Sequence, residues 1–162
     1  MKRNLERQKQ VVWWVLFICY LVGISYFLFF SERYGRTEGT NEYRYNLTLF
    51  REIQRFITYH RTIGLEGFVV NFFGNVLAFM PFGFCLPMVS VRDRKLYRIF
   101  FWSFAFSLTI ESIQLVYRIG IFDVDDLLLN TIGGILGYWC FCMMKILQRH
   151  GGKRHATKKR NY

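Results

Sequence analysis

The chain has 162 residues, enough for one domain; 52% are hydrophobic and 20% aromatic, and a soluble fold of this size could not easily hide 18 phenylalanines. The net charge of +11 sits beside apolar runs and not in an independent basic domain, which argues against a nucleic-acid partner. Cys19, Cys85, Cys140 and Cys142 all fall in apolar stretches without zinc-site spacing, so they read as small buried apolar side chains.

Residues 1–10 carry Lys2, Arg3, Arg7 and Lys9 against one acid, Glu6. Val11 to Phe30 is then an uncharged apolar run, and about 20 such residues cross a bilayer as a helix. The run ends in Phe29, Phe30, Ser31, Glu32 and Arg33 with no A-x-A cleavage pattern. It therefore predicts an uncleaved first membrane helix and not a secretory signal.

Residues 31–66 form a polar connection with six Arg and five Glu, a mixture expected outside the bilayer. Within it, Phe50, Ile53 and Ile57 recur at helical spacing, with Leu49 and Phe56 beside them and Arg51, Glu52 and Arg55 opposite. The pattern predicts an outer amphipathic helix over 46–63, capped by Asn46. It is expected to lie on the outer leaflet or to form a lid over the bundle, or else it is a plain solvated connection. His60 has no second ligand near it in sequence and is not read as a metal ligand.

Residues 67–89, GFVVNFFGNVLAFMPFGFCLPMV, are a second uncharged span. Asn71 and Asn75 are four apart and share a face, either as interhelical glue or as ligand-facing groups. Pro81 is expected to kink or loosen this helix and Pro87 to end it. Arg92, Arg94, Lys95 and Arg98 then mark a short cytoplasmic loop. In the third span, about 99–117, Ser107, Glu111, Gln114 and Arg118 fall at i, i+4, i+7 and i+11, one polar stripe on an aromatic helix. A short turn carries Asp123, Asp125 and Asp126, of which Asp125 or Asp126 is expected to cap the fourth span, about 127–147. Asp126, Asn130, Gly133 and Gly137 repeat the same spacing on that helix, and Gly133-x-x-x-Gly137 is a small-residue packing face.

The segments 1–10, 91–98 and 145–162 hold 15 of the 22 Lys/Arg and two of the 11 acids, so both termini are predicted inside. The expected fold is an all-α membrane protein. A basic cytoplasmic amino terminus (1–10) precedes a four-helix membrane domain (11–147), and a basic cytoplasmic tail (148–162) follows.

With a rise of about 1.5 Å per residue, Asn71, Asn75, Glu111, Gln114 and Asn130 all fall in the outer half of the bundle. Ionisable groups at membrane depth are costly, and their default meaning is function. The expectation is a polar pocket that opens outward, ringed by Arg118, Asp123, Asp125 and Asp126. Arg118 is placed to reach back toward Glu111 or to pair with Asp126. A buried clamp that only sets helix register is the competing reading. Clustered carboxylates can hold Mg²⁺ or Ca²⁺, so Asp123, Asp125 and Asp126 are the residues a metal would use, but this run is too short for a metal motif. No metal or cofactor is expected. No nucleophile–base pair is visible, and the chain leans away from an enzyme; if it catalyses, Glu111 is the acid/base candidate.

Several stretches resemble the VanZ-like family of small bacterial membrane proteins. They are Asn46-Leu47-x-x-Phe50, NFFGNVLAFMPFG at 71–83, IESIQ at 110–114, Arg118, and DVDDLLLNTIGGILG at 123–137. Leu49 stands where the family usually has proline. The resemblance covers about residues 46–140 and implies a four-helix protein of the cytoplasmic membrane. The founding member is linked to low-level resistance to the glycopeptide teicoplanin, and the family has no established reaction. Its recurring polar positions fall on Asn75, Glu111, Gln114, Arg118, Asp123, Asp126 and Asn130. The expected partner is a membrane lipid or a lipid-linked or amphiphilic envelope molecule. An intramembrane enzyme acting on such a lipid, or a small structural subunit, are the alternatives.

Overall fold

A computed structural model describes residues 2–30 and 43–159, with the side chains of 52, 53, 55–57, 59–71, 151–159 and a few single positions (2, 3, 5, 6, 30 and 91) outside the described set. The element order is α1 (Lys2–Phe30), β1 (Tyr45–Asn46), α2 (Arg51–Val89), a single 3-10 turn (Val91–Asp93), α3 (Leu96–Val116), β2 (Phe122–Asp123) and α4 (Val124–Lys159). Four helices contain stretches long and apolar enough to cross a membrane: Arg7–Phe29, Phe72–Val89, Leu96–Val116 and Val124–His150. Their outward faces carry Val15, Phe73, Leu77, Phe100, Phe101, Trp102 and Trp139, all exposed. Apolar surface on that scale suits lipid and would drive a water-soluble chain to aggregate.

The expected helix over 46–63 is not a separate element. Helix α2 starts at Arg51 and runs unbroken to Val89. Gly64 and Gly67 each cost a helix about 1 kcal/mol, too little to break it, and no proline intervenes before Pro81. Asn46 does not cap this helix either. The residue before it is Phe50, in the left-handed region at φ 61, without a side-chain cap bond. Asn46 instead lies in β1, where Tyr45 pairs with Phe122 and Asn46 with Asp123 in a two-residue parallel bridge. His60 and Ile63, within the expected 46–63 helix, have side chains outside the described residues, and the connection at 31–42 lies outside them altogether. The helix also continues through Pro81 and Pro87, ending two residues later with the Ser90 N–H on Leu86 O at 2.9 Å.

Helices α2 and α4 make the tightest seam. A Cβ on Gly137 would lie 1.9 Å from Met80 O, and one on Gly133 2.3 Å from Val76 O, so glycine lets the two backbones touch. Helix α3 packs on α4, and α1 leans on α2. Between α2 and α3, Phe82 and Phe106 stack with centroids 5.1 Å apart, and Phe79 is fully enclosed beside them. Helix α1 is anchored by the Tyr20 hydroxyl, which donates to Ala78 O at 2.7 Å. Gln114 Nε2 donates to Leu28 O at 3.2 Å, placing the end of α1 beside the end of α3. Not all cysteines are interior: Cys19 and Cys140 are exposed on the apolar surface, and all four are free thiols.

Candidate functional site

The polar residues gather at one end of the bundle, where α1 and α3 end and α4 begins. Helix α4 starts at Val124 because Asp123 caps it: the Asp123 carboxylate accepts the Asp125 N–H at 2.8 Å. The expected caps, Asp125 and Asp126, lie inside the first turn. The same Asp123 carboxylate accepts Asn46 Nδ2 on both oxygens, at 3.1 and 3.0 Å. Its backbone N–H donates to Glu111 Oε2 at 3.0 Å. One residue thus closes the turn, holds the β1 strand and orients the buried glutamate.

Asp125 is buried and accepts the Phe50 N–H at 2.6 Å, which pins the start of α2 to the start of α4. Asn46 completes this corner. Its Oδ1 accepts the Thr48 N–H at 3.2 Å and lies 3.4 Å from Arg51 Nη1. In the layer beneath, the Asn75 side-chain amide donates to the Asp126 carboxylate. Glu111 lies close enough to Asp123 and Asp126 for their charges to interact. One helical turn further in, Asn130 Nδ2 donates to Ser107 Oγ at 2.9 Å, joining α4 to α3. Asn75, Glu111 and Asn130 are each only 3% exposed, so this is interior and not a wetted rim.

The structure therefore brings together Asn75, Glu111, Asp123, Asp126 and Asn130 as the spacing predicts. Gln114 is buried on the same helix face but turns to Leu28 O on α1. The side chain of Asn71 lies outside the described residues. Arg118 departs from the stripe. Helix α3 stops at Val116, and Arg118 follows in the left-handed region at φ 56 while the Ile119 N–H returns to Gln114 O at 3.0 Å. This turn swings the guanidinium outward over the Tyr43 ring, 4.4 Å from its centroid, instead of back toward Glu111 or across to Asp126. Gly120 sits tightly where the turn folds back: a Cβ there would lie 3.2 Å from the Gln114 side chain, which would have to shift slightly to admit it.

The three aspartates do not assemble as a metal cluster. Asp123 and Asp125 spend carboxylate oxygens on Asn46 and backbone N–H groups, and no group of three His, Cys, Asp or Glu is placed to hold a metal among the described residues. Residues that sequence reading assigned no role here are Ser107 as a partner of Asn130, and Asn46 and Phe50 as partners of the aspartates. Ser107 was visible on the polar stripe. The Asn46–Asp123 contact spans 77 residues, and only the fold brings those positions together.

The VanZ/LLP1 family pattern matches residues 17–145. Protein VanZ of Enterococcus faecium is 36% identical over 100 residues, covering 56% of this chain and 62% of that protein. The chain thus spans less than two thirds of that relative's length. No solved structure matches.

Proposed function

The chain belongs to the VanZ/LLP1 family, and on that premise we propose that it is a protein of the bacterial cytoplasmic membrane whose polar end binds a lipid-linked or amphiphilic envelope molecule. The excess of Lys and Arg in 1–10, 91–98 and 145–162 supports an orientation with that end outside. The observation that carries the reading is the set Asn75, Glu111, Asp126 and Asn130. These come from three separate helices and meet at membrane depth, where polar groups are kept at a cost. Arg118 stands exposed over the Tyr43 ring and next to the exposed Tyr117, a charged and aromatic edge suited to an anionic headgroup. The activity this binding would serve is tolerance to a glycopeptide such as teicoplanin, by holding the drug or the lipid that carries its target.

A second reading is favoured by the bonds themselves. Asn75 to Asp126 and Asn130 to Ser107 are both ties between helices, which is what a purely structural clamp would use. One experiment separates the two. Teicoplanin tolerance is measured in a susceptible strain expressing the chain or its Glu111→Gln or Arg118→Ala variant, with membrane levels compared. The binding reading expects lost tolerance at equal protein level. Full tolerance with both variants overturns it, and loss of the protein from the membrane favours the clamp.

A further inference from the structure

The opposite end of the bundle carries a second polar group, on the turn that leads from α2 into α3. Residues 91–98 hold Arg92, Arg94, Lys95 and Arg98 against one acid, Asp93. An excess of charge alone would only favour one orientation in the membrane. Here the segment is also tied down. Arg98 Nη1 donates to Arg92 O at 2.8 Å and lies 3.6 Å from the Asp93 carboxylate. Arg94 Nε donates to Pro87 O at 3.0 Å, and the Tyr138 hydroxyl donates to Arg94 O at 2.7 Å.

Tyr97 is the exposed centre of this ledge. Arg98 Nε donates to Tyr97 Oη at 3.2 Å, and Lys95 Nζ lies 5.9 Å from the centre of the ring. A phenol oxygen that accepts keeps its own proton to give, and the Tyr97 O–H meets no acceptor among the described residues. Asp93 is already paired with Arg98, and Lys95 meets the ring and no carboxylate among the described residues. An ammonium, a guanidinium and a hydroxyl proton thus stand around one ring, and charge-assisted donors of this kind suit phosphate oxygens.

An apolar row continues from the ledge. Tyr97, Phe101, Phe104 and Leu108 fall at i, i+4, i+7 and i+11 on α3, and all four are exposed. At 1.5 Å per residue the row runs about 16 Å, close to the roughly 15 Å of hydrocarbon in one leaflet. Donors for an anion at the head of a row one leaflet deep match the chemistry of a phospholipid. A free phosphate would use only the head, and an acidic peptide would leave the row bare.

We propose that this ledge binds an anionic phospholipid, its phosphate met by Lys95, Tyr97 and Arg98 and one acyl chain laid along Phe101, Phe104 and Leu108. This lipid site goes beyond the envelope-ligand reading and does not need it, because the two lie at opposite ends of the bundle.

The test titrates the full chain in neutral detergent micelles with phosphatidylglycerol or phosphatidylcholine and counts bound lipid by native mass spectrometry. One phosphatidylglycerol is expected to bind saturably, at least fivefold tighter than phosphatidylcholine. Lys95→Gln is expected to weaken it at least fivefold. Tyr97→Phe, which leaves the net charge unchanged, is expected to weaken it at least twofold. Lys145→Gln removes the same charge from the same end of the bundle and is expected to change affinity less than twofold. Equal binding of the two lipids by the unaltered chain overturns the proposal. So does an equal loss in Lys95→Gln and Lys145→Gln, the mark of diffuse charge, or parental affinity in Tyr97→Phe. Displacement of the lipid by millimolar inorganic phosphate or by a polyglutamate peptide overturns it as well.

Discussion

The backbone N–H of Asp123 donates to Glu111 Oε2 at 3.0 Å, across the turn that joins α3 to α4. A buried glutamate is therefore held by the residue that also caps the next helix and anchors the β1 strand through Asn46. Three structural tasks converge on one residue, two of them on its carboxylate and one on its backbone N–H, and the first prediction follows from that.

Asp123→Ala removes the cap of α4 and strands Asn46 at once. Loss of an N-cap costs about 1 kcal/mol, and an unpaired buried amide adds about 1–3 kcal/mol. Asp123→Asn keeps a capping oxygen and one acceptor for Asn46, so it is expected to cost less than half as much. Denaturant unfolding of the purified chain in micelles checks the order, and equal stability of the two variants would contradict the hub role.

The α2–α4 seam predicts a contrast between glycines. Gly137→Ala would place its Cβ 1.9 Å from Met80 O, whereas Gly23 has nothing within 4 Å of the same position. The first substitution is expected to destabilise by about 1–3 kcal/mol, as overpacking does. Gly23→Ala is expected to stabilise by up to about 1 kcal/mol through helix propensity alone. Opposite signs in the same unfolding assay are the expected outcome.

Arg118 occupies a left-handed position at φ 56 that glycine adopts freely. Arg118→Gly is expected to relieve about 1 kcal/mol of backbone strain, against a cation–π contact over Tyr43 worth about 0.5–1 kcal/mol at an exposed site. The glycine variant is thus expected to be as stable as the parent and more stable than Arg118→Ala. If Arg118 meets an anionic ligand, tolerance falls in both variants although only the alanine one is weakened. Tolerance that follows stability would remove Arg118 from the binding surface.

Orientation is tested by labelling. In a chain whose native cysteines are replaced, Arg118→Cys is expected to react with a membrane-impermeant maleimide in intact cells. Lys95→Cys and Gln148→Cys are expected to react only after the cells are opened. The reverse pattern would turn the polar end toward the cytoplasm and end the envelope-ligand reading.

Much of this molecule is legible along the chain, because a span needs only length and apolar composition. The runs around Val11–Phe30, residues 67–89, 99–117 and 127–147 state that directly, and four helices long and apolar enough to cross a membrane overlap them. The i, i+4 spacing likewise places Glu111 beside Ser107, and Asp126 beside Asn130, since a helix puts such residues on one face whatever surrounds it. The family resemblance, drawn from 46–140, agrees with a match over 17–145.

What the chain alone does not decide is how its segments meet. The Asn46–Asp123 bond, the parallel pairing of Tyr45 with Phe122, and the seat of the Phe50 N–H on Asp125 join positions some 75 residues apart. No periodicity encodes such pairs, because they depend on how α2 and α4 dock through their glycines. Tertiary structure also decides where α3 stops. One turn of regular helix more would keep Arg118 on the polar stripe. The turn at Val116–Ile119 spends that residue in a left-handed conformation and sends its charge to Tyr43. Local pattern sets which side chains share a face, and the packing of distant backbones sets what that face encounters.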